Sequence, residues 1–440
     1  MLQSIIDDLP TNASVVPRIS GRFNDFAERL ANIYRVDLKR RGPMNNDKLS
    51  RRAFLRNTSL TTMGTIAGFA QGGGPASLGA KKDVFVRHSN RENIDATKIL
   101  NYNPKMGYRR LGKTNLMISE VSLGGHWRAP WRDRSGGWWW GKFVKEEVPD
   151  DVAKNRTEVV SRAIDCGMNY LDITGAEECL CYGAALKGRR DKMIVGADDS
   201  KLCPRRDENC NVKAQLYNVE ECLRHIKTDY LDIWRVQAKM DGTNTDSDVE
   251  VMLEAFQKLH KAGKLLHFGI SSHSRPWAQH VIEKYPEVEM FIFPCTAKTK
   301  EKGESPVMDN IEEVNAGYGP ENKSIFQSLR EQDVGLITIK PFFGGSLLKS
   351  YDKPKIGVGS KEDNDLARLT LQCILNLNDA ITSVIPGLST IYEVDNAVRA
   401  SYTRPLAMMA ADRDWLVEVT EQRWAKLPGE YTWLQEWEIV

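Results

Sequence analysis

The sequence has 440 residues, 41% hydrophobic and 27% charged, the composition of a globular chain. Lys+Arg total 61 against 59 for Asp+Glu, a formal charge of +2, so the basic excess that nucleic-acid binding needs is missing. No apolar run reaches the roughly 20 residues that cross a bilayer, and no repeat period is visible, which argues against a stable membrane span and against a solenoid.

The first hundred residues read as extension, targeting segment and linker. Residues 1–49 form an N-terminal extension. Phe23, Phe26, Leu30, Ile33 and Tyr34 are spaced like one helix face, yet Met44 would also make a normal start for the segment that follows. Residues 50–70 read as a twin-arginine signal. Arg51 and Arg52 follow Ser50 and precede Phe54-Leu55, and a mild apolar stretch runs from Ser59 to Ala70. That pattern predicts export by the twin-arginine machinery to a periplasmic or other extracytoplasmic place. Residues 71–105 are polar and aperiodic, as in a linker.

From 106 to 440 the chain alternates strand and helix. A hairpin is expected around Gly112-Lys113-Thr114-Asn115. Strands are expected at 120–123, 169–172, 192–196, 231–236, 266–270, 289–293, 335–339 and 381–385, with a helical pattern after each. Met252, Leu253, Phe256 and Leu259, for example, share one face ahead of Gly263. Eight strand–helix pairs predict an α/β fold of the (β/α)8 TIM-barrel type, with an N-terminal β-hairpin and an extra C-terminal helix over 405–426. A doubly wound sheet would want a phosphate loop after its first strand, and Gly124-Gly125-His126-Trp127 lacks that pattern.

Six segments in order resemble the aldo/keto reductases. They are 108–125 (YRRLGKTNLMISEVSLGG), 163–174 (AIDCGMNYLDIT), 223–234 (LRHIKTDYLDIW), 267–274 (HFGISSHS), 337–348 (ITIKPFFGGSLL) and 385–397 (IPGLSTIYEVDNA). The resemblance implies an NADP(H)-dependent oxidoreductase acting on a small molecule. In that chemistry a Tyr hydroxyl donates the proton, a Lys and an Asp tune it, a His orients the carbonyl, and the cofactor supplies the hydride. Asp172 matches the family's Asp. The positions of the Tyr, Lys and His carry Glu177, Asp198 and Gln237. Three departures in one pocket imply that carbonyl reduction by the usual route is impaired. For the cofactor, the resemblance assigns Lys340, Pro341, Gly344 and Gly345 to a pyrophosphate loop. It assigns Pro386, Gly387, Ser389, Glu393 and Asn396 to a segment holding the adenosine phosphate and adenine. Ser271 sits where the nicotinamide end would lie.

Other residues keep rival readings open. His126 ends the first strand, and an imidazole titrates near neutrality, so it is a candidate proton donor beside Asp172, Glu177 and Gln237. Trp127, Trp131, Trp138, Trp139 and Trp140 crowd the loop that follows. They serve either as packing or as stacking faces for a carbohydrate or aromatic ligand. The alternatives to a reductase are therefore a cofactor-free binding barrel, or a lyase or hydrolase using Asp172, Glu177 and His126. Cys179, Cys181, Cys203 and Cys210 lie on one end of the barrel and fit disulfides, free thiols or, less well by spacing, a metal. No metal site is expected.

Overall fold

The computed structural model describes residues 95–125, 127, 147–302, 323–349, 359–402 and 408–440. The twin-arginine segment, His126, and the tryptophans from 131 to 140 lie outside the described residues. Among the described residues no helix is long and apolar enough to cross a membrane.

A short antiparallel hairpin comes first, β1 (Tyr108–Arg110) with β2 (Met117–Ser119). Then follow α1 (Asp150–Asp165), β3 (Tyr170–Ile173), α2 (Ala176–Ala185), β4 (Ile194–Ala197), α3 (Val212–Ile226), β5 (Leu231–Gln237), α4 (Asp246–Lys261) and β6 (Leu265–Ser271). The series continues with α5 (Arg275–Lys284), β7 (Met290–Pro294), α6 (Ile325–Glu331), β8 (Gly335–Ile339), α7 (Lys361–Leu377), β9 (Ile381–Val384), α8 (Ile391–Tyr402) and α9 (Ala410–Trp424). Strands β3 to β9 form one parallel sheet in sequence order.

Residues 121–123 close that sheet into the expected (β/α)8 barrel. Val121 bridges Val384 of β9, and Leu123 bridges Leu171 of β3, both in parallel. The amides of Ser122 and Leu123 donate to the carbonyls of Val384 and Tyr170. The segment expected as a full first strand is thus only a two-bridge seam, because it turns from the hairpin straight into the gap between the two edge strands.

Side chains alternate across each strand, which decides what faces the barrel axis. On β3, Leu171 and Ile173 point out to the helices, while Tyr170 joins an inner cluster with Ile194, Ile233, Met290, Ile292, Ile337 and Ile385. Leu111, just after β1, and Ile118, within β2, join that cluster and are fully buried. Asp172, two residues after Tyr170, therefore emerges on the inner face above this apolar cluster.

Caps sharpen several helix starts. Thr245 and Asp248 form a reciprocal capping box on α4, and Asn211 and Ser360 cap α3 and α7. Residues 95–105, expected as linker, are instead part of the folded body. Ile99 is buried, and Asn101 Nδ2 donates to the carbonyls of Met168 (2.9 Å) and Lys192 (2.7 Å). At the other end α9 packs with Phe343, Leu347, Leu366, Leu369 and Leu434 in a separate apolar cluster. The 3-10 turn Gly429–Trp437 continues from it.

Candidate active site

A cavity of about 360 Å³ opens at the carboxyl ends of the strands, where barrel enzymes carry their chemistry. Asp172, Arg235 and Gln237 line its floor; Lys340, Gly344, Pro386, Gly387 and Glu393 are among the residues that line it elsewhere.

The floor is a closed charge network. Arg235 Nε and Nη2 donate to the two Asp172 carboxylate oxygens at 2.8 and 3.0 Å, a two-pronged pair with both side chains buried. Arg235 also donates to the Ile173 carbonyl (2.9 Å) and to Ser271 Oγ (3.1 Å). Burial pushes the Asp172 carboxyl up, and the Arg235 guanidinium opposes that rise. Burial acts to lower the Arg235 value, but the carboxylates of Asp172 and Asp198 outweigh it and hold the guanidinium above its ordinary range.

Asp198 stands where the resemblance places the family's Lys, just past β4. Its carboxylate accepts from Asn218 Nδ2 (2.7 Å), Trp234 Nε1 (3.3 Å) and the Gln237 amide N–H (2.8 Å). Burial raises its carboxyl to about 6, against the pull of Arg235 and these donors. Gln237 itself spans to the Thr174 carbonyl (3.2 Å). The cation that tunes Asp172 thus comes from β5 rather than from the end of β4. Sequence reasoning missed Arg235, although it lies two residues before Gln237 and so on the same strand face.

Among the described residues, the tyrosine that hydrogen-bonds to Asp172 is Tyr170, on the same strand. Tyr170 Oη lies 3.4 Å from Asp172 Oδ1, but it sits beneath the carboxylate and is fully buried. A Cβ on Gly196 would come within 2.3 Å of that hydroxyl, so glycine there makes room for it. Glu177, expected as a catalytic candidate, does not join the site. It opens α2, does not line the cavity, and its carboxylate pairs with Lys201 Nζ at 2.7 Å.

Ser271, Lys340, Pro341, Gly344, Gly345, Gly387, Ser389, Glu393 and Asn396 all line the one cavity. Several of them are already engaged. Ser271 holds Arg235, and Glu393 accepts from the amides of Ser389 (2.5 Å) and Thr390 (3.0 Å) at the start of α8. The helix-start amides that would otherwise attract a phosphate are thereby filled by the chain's own carboxylate. By contrast the loop after β8 keeps positive φ at Lys340 (61°), Phe343 (53°), Gly344 (69°) and Gly345 (107°). A Cβ on Gly344 would meet the Tyr431 ring at 2.0 Å, so the C-terminal turn closes directly onto this loop.

Trp127, the first of the clustered tryptophans, is fully buried beneath the Arg156 guanidinium, 3.9 Å from its ring centre, and packs as structure. The eight cysteines are free thiols, which corrects the disulfide reading. Cys179 and Cys181 are two apart on a helix and face different neighbours: Cys179 hydrogen-bonds to Cys222 on α3, while Cys181 lies near Arg156 of α1. Among the described residues no group of His, Cys, Asp and Glu is arranged to hold a metal ion.

Comparison with known proteins fits this geometry. The aldo/keto reductase family profile matches residues 134–407, more than half of the chain. An uncharacterized oxidoreductase of Bacillus subtilis, YqkF, is 24% identical over 318 residues, covering 68% of this chain and 93% of that protein. The aldo-keto reductase YhdN of the same organism is 27% identical over 180 residues, 38% of this chain and 48% of its own length. Among solved structures, the holo form of aldo-keto reductase AKR11C1 from Bacillus halodurans is 20% identical, with a TM-score of 0.49, covering 71% of this chain and 96% of that one. An aldo-keto reductase from Klebsiella pneumoniae in complex with NADPH is 14% identical, with a TM-score of 0.48, covering 72% and 95%. The chain belongs to the aldo/keto reductase family.

Proposed function

We propose that this protein is an exported, NADP(H)-dependent oxidoreductase whose reduction of ordinary aldehydes is impaired. One observation carries the reading: the strand-end cavity is lined at once by Asp172, by the loop from Lys340 to Gly345, and by the segment from Pro386 to Asn396. Lys340 and the backbone of Gly344 and Gly345 would hold the pyrophosphate. Asn396 would lie toward the adenine, although its Nδ2 already donates to the Asn364 carbonyl at 2.8 Å. When bound, the cofactor supplies a hydride to a carbonyl carbon.

The donor set fits such a group in part. Lys340 offers a cation with no carboxylate partner among the described residues, whereas the amides at the start of α8 are spoken for by Glu393. The reading therefore leans on the loop after β8. Among the described residues of the floor, none offers a proton. Asp172 is locked to Arg235, Tyr170 is beneath the floor, and Gln237 has no acidic proton. A carbonyl oxygen placed over this floor would meet hydrogen bonds, but none of these three side chains is matched to protonate it.

The occupied helix start favours one rival, a barrel that binds a ligand without any dinucleotide. Titrating the purified chain with NADPH and NADH, followed by cofactor fluorescence, separates the two. Saturable binding supports the oxidoreductase, and no binding of either favours the rival. The export part stands on Ser50 to Arg56. Replacing Arg51 and Arg52 with Lys should leave the protein in the cytoplasm, and unchanged fractionation would refute it.

A further inference from the structure

We propose that the turn Gly429–Trp437 is a strap across the barrel mouth, which slows entry and exit of the dinucleotide alike, so that the chain keeps its cofactor instead of exchanging it. The identity of the cofactor rests on the oxidoreductase reading; the strap is a matter of geometry.

The turn lies beyond residue 407, where the family match ends, and three anchors tie it to the strand ends. At the end of β6, the Trp433 ring stacks on His273 with centres 4.1 Å and planes 9° apart, and Trp437 Nε1 donates to the His273 carbonyl at 2.9 Å. On β7, the Trp437 ring stacks on Phe293 at 4.8 Å. Beyond β7, the amides of Lys300 and Lys302 donate to the carbonyls of Glu438 (2.7 Å) and Val440 (2.6 Å), and the Val440 amide returns to the Lys300 carbonyl (3.0 Å). Lys298 Nζ clamps the same stretch, pairing with Glu438 at 2.9 Å and with Glu421 of α9 at 2.6 Å.

These anchors carry Tyr431 onto the loop after β8. Its ring fills the space that a Cβ on Gly344 would need, and it lines the cavity. Leu434 and Trp437 are fully buried, whereas Tyr431 and Trp433 are half-buried. The base of the strap is therefore fixed, and its outer part is the piece that can lift. A dinucleotide lying against this loop leaves only when Tyr431 swings out or the Trp433–His273 stack opens. All the anchors are contacts within the chain. A gate that closes with the same contacts over an empty and a filled cavity changes both rates and leaves affinity alone. The proposed export gives such a gate a purpose, because a chain that has left the cytoplasm has no cofactor supply to draw on.

The test is stopped-flow mixing of NADPH with the full chain, followed by cofactor fluorescence, with release read by chasing the complex with excess NADP+. Wild-type chain loaded with NADPH should carry it through gel filtration, a readout that needs no variant to fold. Tyr431→Ala should speed association and release together by about fivefold or more, the scale of a lost aromatic contact, and leave Kd within about twofold. Trp433→Leu, which loosens the anchor on His273 and leaves Tyr431 in place, should act in the same direction. Faster release with Kd weakened in proportion would make Tyr431 an ordinary contact and overturn the strap. Unchanged rates in both folded variants overturn it too, and leave the oxidoreductase reading intact. NADPH binding by the variants but not by the wild-type chain would make the turn a plug and end the retention claim. No NADPH binding by any of the three proteins sinks the oxidoreductase reading, and retention with it.

Discussion

The floor and the wall of the cavity are built on opposite principles. At the floor every charge is answered: Asp172 by Arg235, and Asp198 by Asn218, Trp234 and the Gln237 amide. Along the wall Arg205 and Lys340 face the same space with no carboxylate partner among the described residues. A buried network with its hydrogen bonds made is rigid and chemically quiet, whereas uncompensated charge aimed into a cavity is stored affinity for a ligand. On the proposed reading, the residues at the family's reaction centre serve as framework, with unpaired cations beside them.

The contrast is broken most forcefully at Arg235. If the floor is framework, Arg235→Met leaves the Asp172 carboxylate buried without its partner and should cost roughly 3–5 kcal/mol of stability in urea unfolding. Arg235→Lys should cost less, since it keeps the charge and loses only the fork. A stable Arg235→Met protein would show that the floor is not structural.

Smaller effects are expected where the wall meets the C-terminal turn. Gly344→Ala must adopt a φ near 69° and bring a methyl against Tyr431. The backbone part alone should cost roughly 1–2 kcal/mol. Tyr431→Ala in the same chain should recover only the steric part. Full recovery in that double mutant would mean the left-handed backbone costs nothing here.

The gentlest test is a pH slope. Asp198 ionises at about 6 in the folded chain against an ordinary 3.8, so the folded state holds this proton more tightly. Between these two values folding takes up a proton. Stability from this group is therefore lost as pH rises from about 4 to 6, at no more than about 1.4 kcal/mol per pH unit. Unfolding curves across that window should lose this component in Asp198→Asn, and an unchanged slope would remove Asp198 from the network.

Much of the frame was legible before any coordinates. Period-two runs located β3 to β9, and helix-face spacing placed α3 and α5 with their ends, because burial on one face writes itself into sequence order. The floor was legible in part. Asp172, Asp198 and Gln237 were found as strand ends, yet Arg235 was passed over because attention stayed on the terminal residues instead of the inward face behind them. Arg205 gave no signal at all: it lies in an aperiodic loop, and only the closing of the barrel brings it opposite Lys340. The occupation of the α8 start by Glu393 was equally hidden, since a side chain that caps its own helix spells the same letters as one that waits for a ligand.

The most direct trial of a framework floor is hydride transfer itself. The purified chain is mixed with NADPH and a simple neutral aldehyde near pH 7, and the cofactor absorbance is followed beside an enzyme-free control. The account predicts that NADPH binds and that its absorbance decays no faster than in the control. Turnover at the rate of aldo/keto reductases with an intact Tyr, Lys and His, abolished by Asp172→Asn, would contradict it.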